Sequence, residues 1–117
     1  IPVRKAQADG HDKLLIVLTR PTDYVKEESK SNKLAAKLLH KKYPNLVEPL
    51  LTRHIAYNET VAYCDELERQ GKAVVLRPAE EGIIDSFEKD VRKIETSYQY
   101  GYDLCKQRIG EIRALFA

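Results

Sequence analysis

The chain has no methionine and no tryptophan, only two cysteines and two phenylalanines, and no long apolar run. Each shortage excludes something. Two cysteines, Cys64 and Cys105, cannot make a disulfide scaffold, and neither they nor His11, His40 and His54 show metal-ligand spacing. The longest uninterrupted apolar run, Leu14 to Leu18, is far too short to span a bilayer. Nor do Ile1-Pro2-Val3-Arg4-Lys5 open a signal peptide, because they lead into charge rather than into an apolar segment. The glycines Gly10, Gly71, Gly82, Gly101 and Gly110 stand apart, so no glycine-rich loop cradles a phosphate. No cofactor and no metal are expected. Twenty basic side chains against 18 acidic ones leave a net charge of +2, too balanced for a dedicated nucleic-acid binder. With no methionine to initiate it, the chain is expected to be a piece of something longer or a processed product. Cytoplasmic is its default location, with peripheral membrane contact as a further expectation.

What is present reads as one domain of 117 residues, 43% apolar and 32% charged. Two β-rich runs, Lys13 to Thr19 and Lys72 to Leu76, are unalternating and bounded by Gly10 and Pro21 or by Gly71 and Pro78. Such runs suit strands buried on both faces of a parallel sheet. The remainder reads helical. Pro2 and Gly10 bracket a short helix over residues 3–9, and Ser31 or Asn32 caps one carrying Leu34, Ala35, Leu38 and Leu39. Asn45 caps the next, which carries apolar positions from Leu46 to Leu67 and ends at Gly71; Pro49 lies near its first turn. The last helix starts at Asp90, with Ile94, Tyr98, Gly101, Cys105, Ile109, Ile112 and Leu115 stepping by three or four.

Strands alternating with helices indicate an α/β fold with a parallel sheet. Two strands are too few for that sheet, so the chain reads as one end of a larger α/β domain. An unpaired strand edge would then favour self-association.

Several side chains are candidates for binding. Arg20 and Arg77 each end a strand, where ligands of open α/β sheets bind, and two guanidinium groups there suit a phosphate or carboxylate. The competing reading has each pairing with an acid such as Asp23, Glu80 or Glu81. Lys33, Lys37, Lys41 and Lys42 line a basic amphipathic helix, the pattern of a membrane-surface contact as well as of an ordinary solvated face. Cys64 and Cys105 fall on apolar helix faces and are expected to be buried and reduced. Gly101 fits either close helix packing or simple tolerance. Tyr98, Tyr100 and Tyr102 cannot all face one side of a helix.

The ordered segments Ile1-Pro2-Val3-Arg4-Lys5-Ala6, Gly10-His11-Asp12-Lys13, Val17-Leu18-Thr19-Arg20-Pro21, Lys42-Tyr43-Pro44, Arg53-His54, Tyr57-Asn58-Glu59-Thr60, Arg77-Pro78, Glu88-Lys89-Asp90 and Tyr100-Gly101-Tyr102 resemble the C-terminal part of bacterial patatin-like phospholipases. That family comprises serine acyl hydrolases that cleave lipid esters with a Ser-Asp dyad on a three-layer α/β fold. Its nucleophile sits in a Gly-x-Ser-x-Gly elbow. None of Ser29, Ser31, Ser86 and Ser97 is flanked in that way, and Asp9-Gly10 follows the Ile-Pro-Val segment instead of preceding it as the dyad aspartate does. The resemblance therefore implies a supporting C-terminal portion with no catalytic residue of its own, inactive in isolation, whose parent protein takes a lipid or acyl ester. Two rival classes are an interaction or membrane-docking module and a small anion-binding α/β domain.

Overall fold

Gly10 (φ +94°) and Gly71 (φ +68°) occupy the left-handed backbone region that a Cβ disfavours, each where the chain leaves a helix and turns towards a strand. They end α1 (Val3–Ala8) and α3 (Pro44–Arg69) and precede β1 (Leu14–Val17) and β2 (Ala73–Leu76). The cap of α2 (Lys30–Leu39) is Ser29, whose Oγ accepts from the Asn32 amide at 3.3 Å, so this helix starts earlier than Ser31 or Asn32 would place it. Helix α3 begins with Pro44 rather than after an Asn45 cap and runs through Pro49 for 26 residues. Asp90 caps the next helix as expected, accepting from the Arg92 amide at 3.0 Å. The single C-terminal helix is instead two, α4 (Val91–Gln107) and α5 (Ile109–Phe116), divided at Arg108. The computed structural model describes residues 1–79 and 87–117, so Glu80, Glu81, Gly82 and Ser86 lie outside the described residues.

The two strands pair in parallel, with Leu14 opposite Ala73 and Val17 opposite Leu76. On one face Leu14, Ile16 and Leu18 join Ala73 and Val75 beneath Val3 of α1 and Cys64 and Leu67 of α3, forming the core. Val74 and Leu76 face the other way and are also buried, on the side where α5 meets β2. Expectation and structure part at β1. Only Ile16 within that strand is fully buried, while Leu15 is 41% and Val17 69% exposed. Burial on both faces thus holds for β2 and fails for β1, because α5 covers one strand of the pair.

The edges differ as well. In a ladder, alternate residues turn their amides and carbonyls to alternate sides. Leu14 and Leu18 donate towards β2, so Leu15 and Val17 present their backbone groups to the opposite edge, where no strand pairs among the described residues. Val75 presents its groups to the outer edge of β2, and there side chains replace a strand. Its amide donates to Glu68 Oε1 at 2.9 Å and its carbonyl accepts from Arg108 Nη1 at 2.6 Å. Arg108 Nη2 closes the loop onto Glu68 Oε1 at 3.0 Å and Glu111 Oε2 at 2.6 Å. The expected open sheet edge therefore exists at β1 and is closed at β2. A helix running unbroken from Asp90 would be a different structure, since Arg108 at the α4–α5 junction is the residue that makes this closure.

The molecule is a flat slab of 52 × 39 × 23 Å with a radius of gyration of 17.2 Å. A compact domain of this length would have a radius of about 13 Å. Its accessible surface, 8996 Å², likewise exceeds the roughly 6,500 Å² of a folded monomer of this mass. Large apolar side chains are among the exposed residues. The stripe expected to bury α4 contributes to them: Ile94, Tyr98 and Ile109 are exposed, no residue of α4 or α5 is fully buried, and Tyr98 stacks on Tyr102 at 6.3 Å on the outside. Of that stripe Cys105, Ile112 and Leu115 are half-buried, and Tyr100, Leu104 and Arg108, outside it, are half-buried as well. Tyr100 meets the strand exit, where its hydroxyl accepts from the Ala79 amide at 2.8 Å. Cys105 is only partly buried, in contrast to the inert core position expected of it. Among the described residues a Cβ at Gly101 would meet nothing within 4 Å, so this glycine serves no close packing there. Among the described residues no helix is long and apolar enough to cross a membrane.

Candidate functional site

The carboxyl ends of β1 and β2 lie side by side because the strands are parallel, and this brings the Arg20 and Arg77 segments to one end of the sheet. The two arginines are held differently. The exposed Arg20 lays its guanidinium over the Tyr24 ring at 4.8 Å. Tyr24 in turn meets Tyr57 of α3 edge to face, with ring centroids 6.0 Å apart. Arg77 is 11% exposed and pairs with Asp65 of α3 through Nη2. Its Nη1 is buried and meets no hydrogen-bond acceptor among the described residues. Of the acids that sequence offered as partners, Glu80 and Glu81 lie outside the described residues, and the observed partner, Asp65, was not singled out. Asp65 was legible only as the neighbour of a buried helix position, Cys64.

Both guanidinium groups act on Tyr57. Burial, assisted by the Tyr24 hydroxyl, pushes the Tyr57 phenol above its ordinary value, against the opposing pull of Arg20 and Arg77. Lys26 adds its ammonium 5.2 Å above the same ring. The connection that carries Tyr24 and Lys26 is pinned by Asn58, which accepts from the Lys26 amide at 2.9 Å and donates to its carbonyl at 3.0 Å. This two-way clamp fixes an otherwise irregular segment against α3. In sequence Asn58 is only part of a resembling segment, and its geometry has no sequence signal.

Between this connection, the start of α2 and the middle of α3 opens a cleft of about 980 Å³, with Ala79 on its rim. Its lining mixes signs: Asp23 and Glu27 oppose Lys26 and Arg53, with the His54 ring beside them. Ser29 and Ser31 also line it, but their hydroxyls bond each other at 2.7 Å and Ser29 is committed to the α2 cap. Such a lining orients a polar ligand rather than concentrating charge of one sign. Below it, burial and then Asp65 raise the Cys64 thiol above its ordinary value, which keeps it protonated and unreactive.

The lysine row lies elsewhere. Lys33 pairs with Glu28 at 2.7 Å, and Lys42 stands over the Tyr43 ring at 5.3 Å. Lys37 and Lys41 are exposed. The structure brings the Arg20 and Arg77 segments to one end of the sheet but keeps Lys33 and Lys37 on α2 and Lys41 and Lys42 in the turn after it. The third feature open to a partner is the outer edge of β1 with Leu15 and Val17.

Residues 43–117 match the family model described as Domain of unknown function (DUF6363), and the chain belongs to that family. No curated protein and no solved structure matches the chain.

Proposed function

We propose that this DUF6363 member is the C-terminal structural portion of a patatin-like serine acyl hydrolase, supporting lipid-ester hydrolysis by a Ser-Asp dyad that lies outside these residues. The observation that carries this reading is the one-sided sheet. With the β2 edge closed by Glu68 and Arg108, further strands of a larger sheet have only the β1 edge to join, and Leu15 and Val17 supply the apolar face that they and a covering helix would bury. The excess of accessible surface over that of a self-contained monomer, with large apolar side chains among the exposed residues, supports it, as does the ordered series of resembling segments. In this role the chain supplies a strand beside those bearing the dyad, and helices that cover the sheet. A serine hydroxyl without a base and an oxyanion hole is a weak nucleophile, so the isolated chain is inactive.

Labelling with a fluorophosphonate probe tests this, on the chain alone and on the full-length protein. Labelling of the full-length protein only is the expected result. Labelling of neither would remove the hydrolase reading, and specific labelling of the short chain would overturn the assignment of its role.

A second reading, a small anion-binding domain, has its own observation in the buried Nη1 of Arg77, which meets no acceptor among the described residues at the carboxyl end of the sheet. Titration with inorganic phosphate followed by amide NMR tests it. Shifts centred on Arg77 that vanish in Arg77→Lys would favour it, and a flat titration would dismiss it.

A further inference from the structure

The outer surface of α2 separates charge from the rest of the molecule. Between Glu28 and Glu48 there are five lysines and no acidic residue, so the remainder of a chain with net charge +2 carries a net −3. The helix is anchored from the opposite side: Ala36 is buried, and Ala35 and Leu39 are half-buried where α2 packs on α3. Lys30, Leu34, Lys37 and Leu38 follow at offsets of four, seven and eight, which places them on one face, and Lys41 continues that row in the turn beyond. Leu34 is 59% and Leu38 72% exposed, so two leucines stand in water among lysines on a helix that is already packed. The lysine that is paired, Lys33 with Glu28, lies at the border of this face.

We infer that the outer face of α2 docks on an anionic bilayer surface, lying parallel to it with Leu34 and Leu38 in the headgroup boundary and Lys30, Lys37 and Lys41 on the anionic lipids. Two requirements of interfacial binding meet here. Apolar side chains enter the acyl boundary, and lysines, whose stems are flexible and apolar, keep their ammonium groups at the level of the phosphates. A solvated helix face needs the lysines but not the leucines. A surface reserved for a second copy of the chain would not be served by unbroken positive charge, because like faces would repel. The inference rests on α2 alone and holds whether or not the protein hydrolyses lipid.

Co-sedimentation of the full-length protein with phosphatidylcholine vesicles, with and without about one-third phosphatidylglycerol, tests it. Binding is expected only to the anionic vesicles. Lys37→Glu with Lys41→Glu should lower partitioning roughly tenfold or more. Leu34→Ser with Leu38→Ser should lower it by a similar factor of about ten at unchanged charge. A charge-matched control, Lys13→Glu with Lys72→Glu, should stay within about twofold, since those residues lie outside the acid-free segment. All these side chains are exposed, and a circular dichroism spectrum checks that each variant keeps its helices. Equal binding to neutral vesicles, or indifference to the lysine changes, would overturn the proposal. So would loss with the lysine pair but not the leucine pair, the pattern of a soluble polyanion such as RNA held by charge alone.

Discussion

Replacing Arg108 with alanine removes the side chain that closes the β2 edge, and the cost follows from what it touches. The bond from Nη1 to the Val75 carbonyl, at 2.6 Å and partly buried, is charge-assisted and contributes about 1.5 kcal/mol. The Glu68 contact at 3.0 Å joins groups that are 26% and 33% exposed, so solvent screening leaves it about 0.5 to 1 kcal/mol. Glu111 lies on the solvent side of Arg108, and its screened contact is left out of this sum. The expected destabilisation is therefore about 2 kcal/mol, a shift of roughly 1 M in the urea midpoint at an unchanged slope. Arg108→Lys should recover less than half, because a single ammonium cannot span the carbonyl and the carboxylate as a guanidinium does. In a double-mutant cycle with Glu68→Ala, a coupling of about 0.5 to 1 kcal/mol isolates the ion pair from the backbone bond. Urea unfolding followed by circular dichroism measures all of these. A loss below about 0.5 kcal/mol for Arg108→Ala would refute the reasoning, since it would mean that the Val75 carbonyl is equally well served by water.

Three further outcomes follow from other contacts. Arg108 holds the Glu111 carboxyl below its ordinary value, so the pair contributes stability that is present above about pH 4.5 and lost as pH falls through the lowered value; in Arg108→Ala, an NMR titration should find Glu111 back in the ordinary carboxylate range. Gly101→Ala should stabilise the protein by about 0.5 to 1 kcal/mol, because the site is helical and its Cβ meets nothing; a loss measured by thermal melting would reveal a close partner there. Ellman's reagent in native buffer should modify Cys105 quickly and Cys64 only on unfolding, since Cys64 is 0% exposed with a raised thiol value; equal rates would contradict the burial of Cys64.

The parts of the fold that were legible in sequence are those governed by local rules. Gly10, Gly71 and Asp90 act through their own backbone or their own side chain, and each ends or starts a helix where its chemistry predicts. The strand runs were legible because β-branched and leucine residues cluster between turn residues, and their parallel pairing followed from the intervening helices. Burial on both faces of β1 was not legible. Leu15 and Val17 are as apolar as Val74 and Leu76, and what separates the exposed pair from the buried one is tertiary: α5 packs on β2 and not on β1 to a comparable extent. The break at Arg108 was hidden for a related reason. The apolar periodicity continues across it, while the contacts that turn the chain there, Val75 and Glu68, are far away in sequence. At the strand ends, Arg20 and Arg77 were visible as a pair of Arg-Pro steps, but Asp65 and Asn58 act across distances that no spacing rule covers.

The closure of β2 also decides what kind of assembly this molecule can enter through its backbone. A strand pair with two free edges can stack head to tail without end, each copy offering what the next requires, and that is the geometry of a fibre. Here one of the two edges is already occupied by Glu68 and Arg108, so copies of these residues alone, with no further strand on β1, can meet strand to strand among the described residues only through β1 against β1. Such a contact uses the same patch on both partners, is related by a twofold axis, and is complete with two members. A single guanidinium bridging to a carboxylate thus turns a potentially endless association into one that stops.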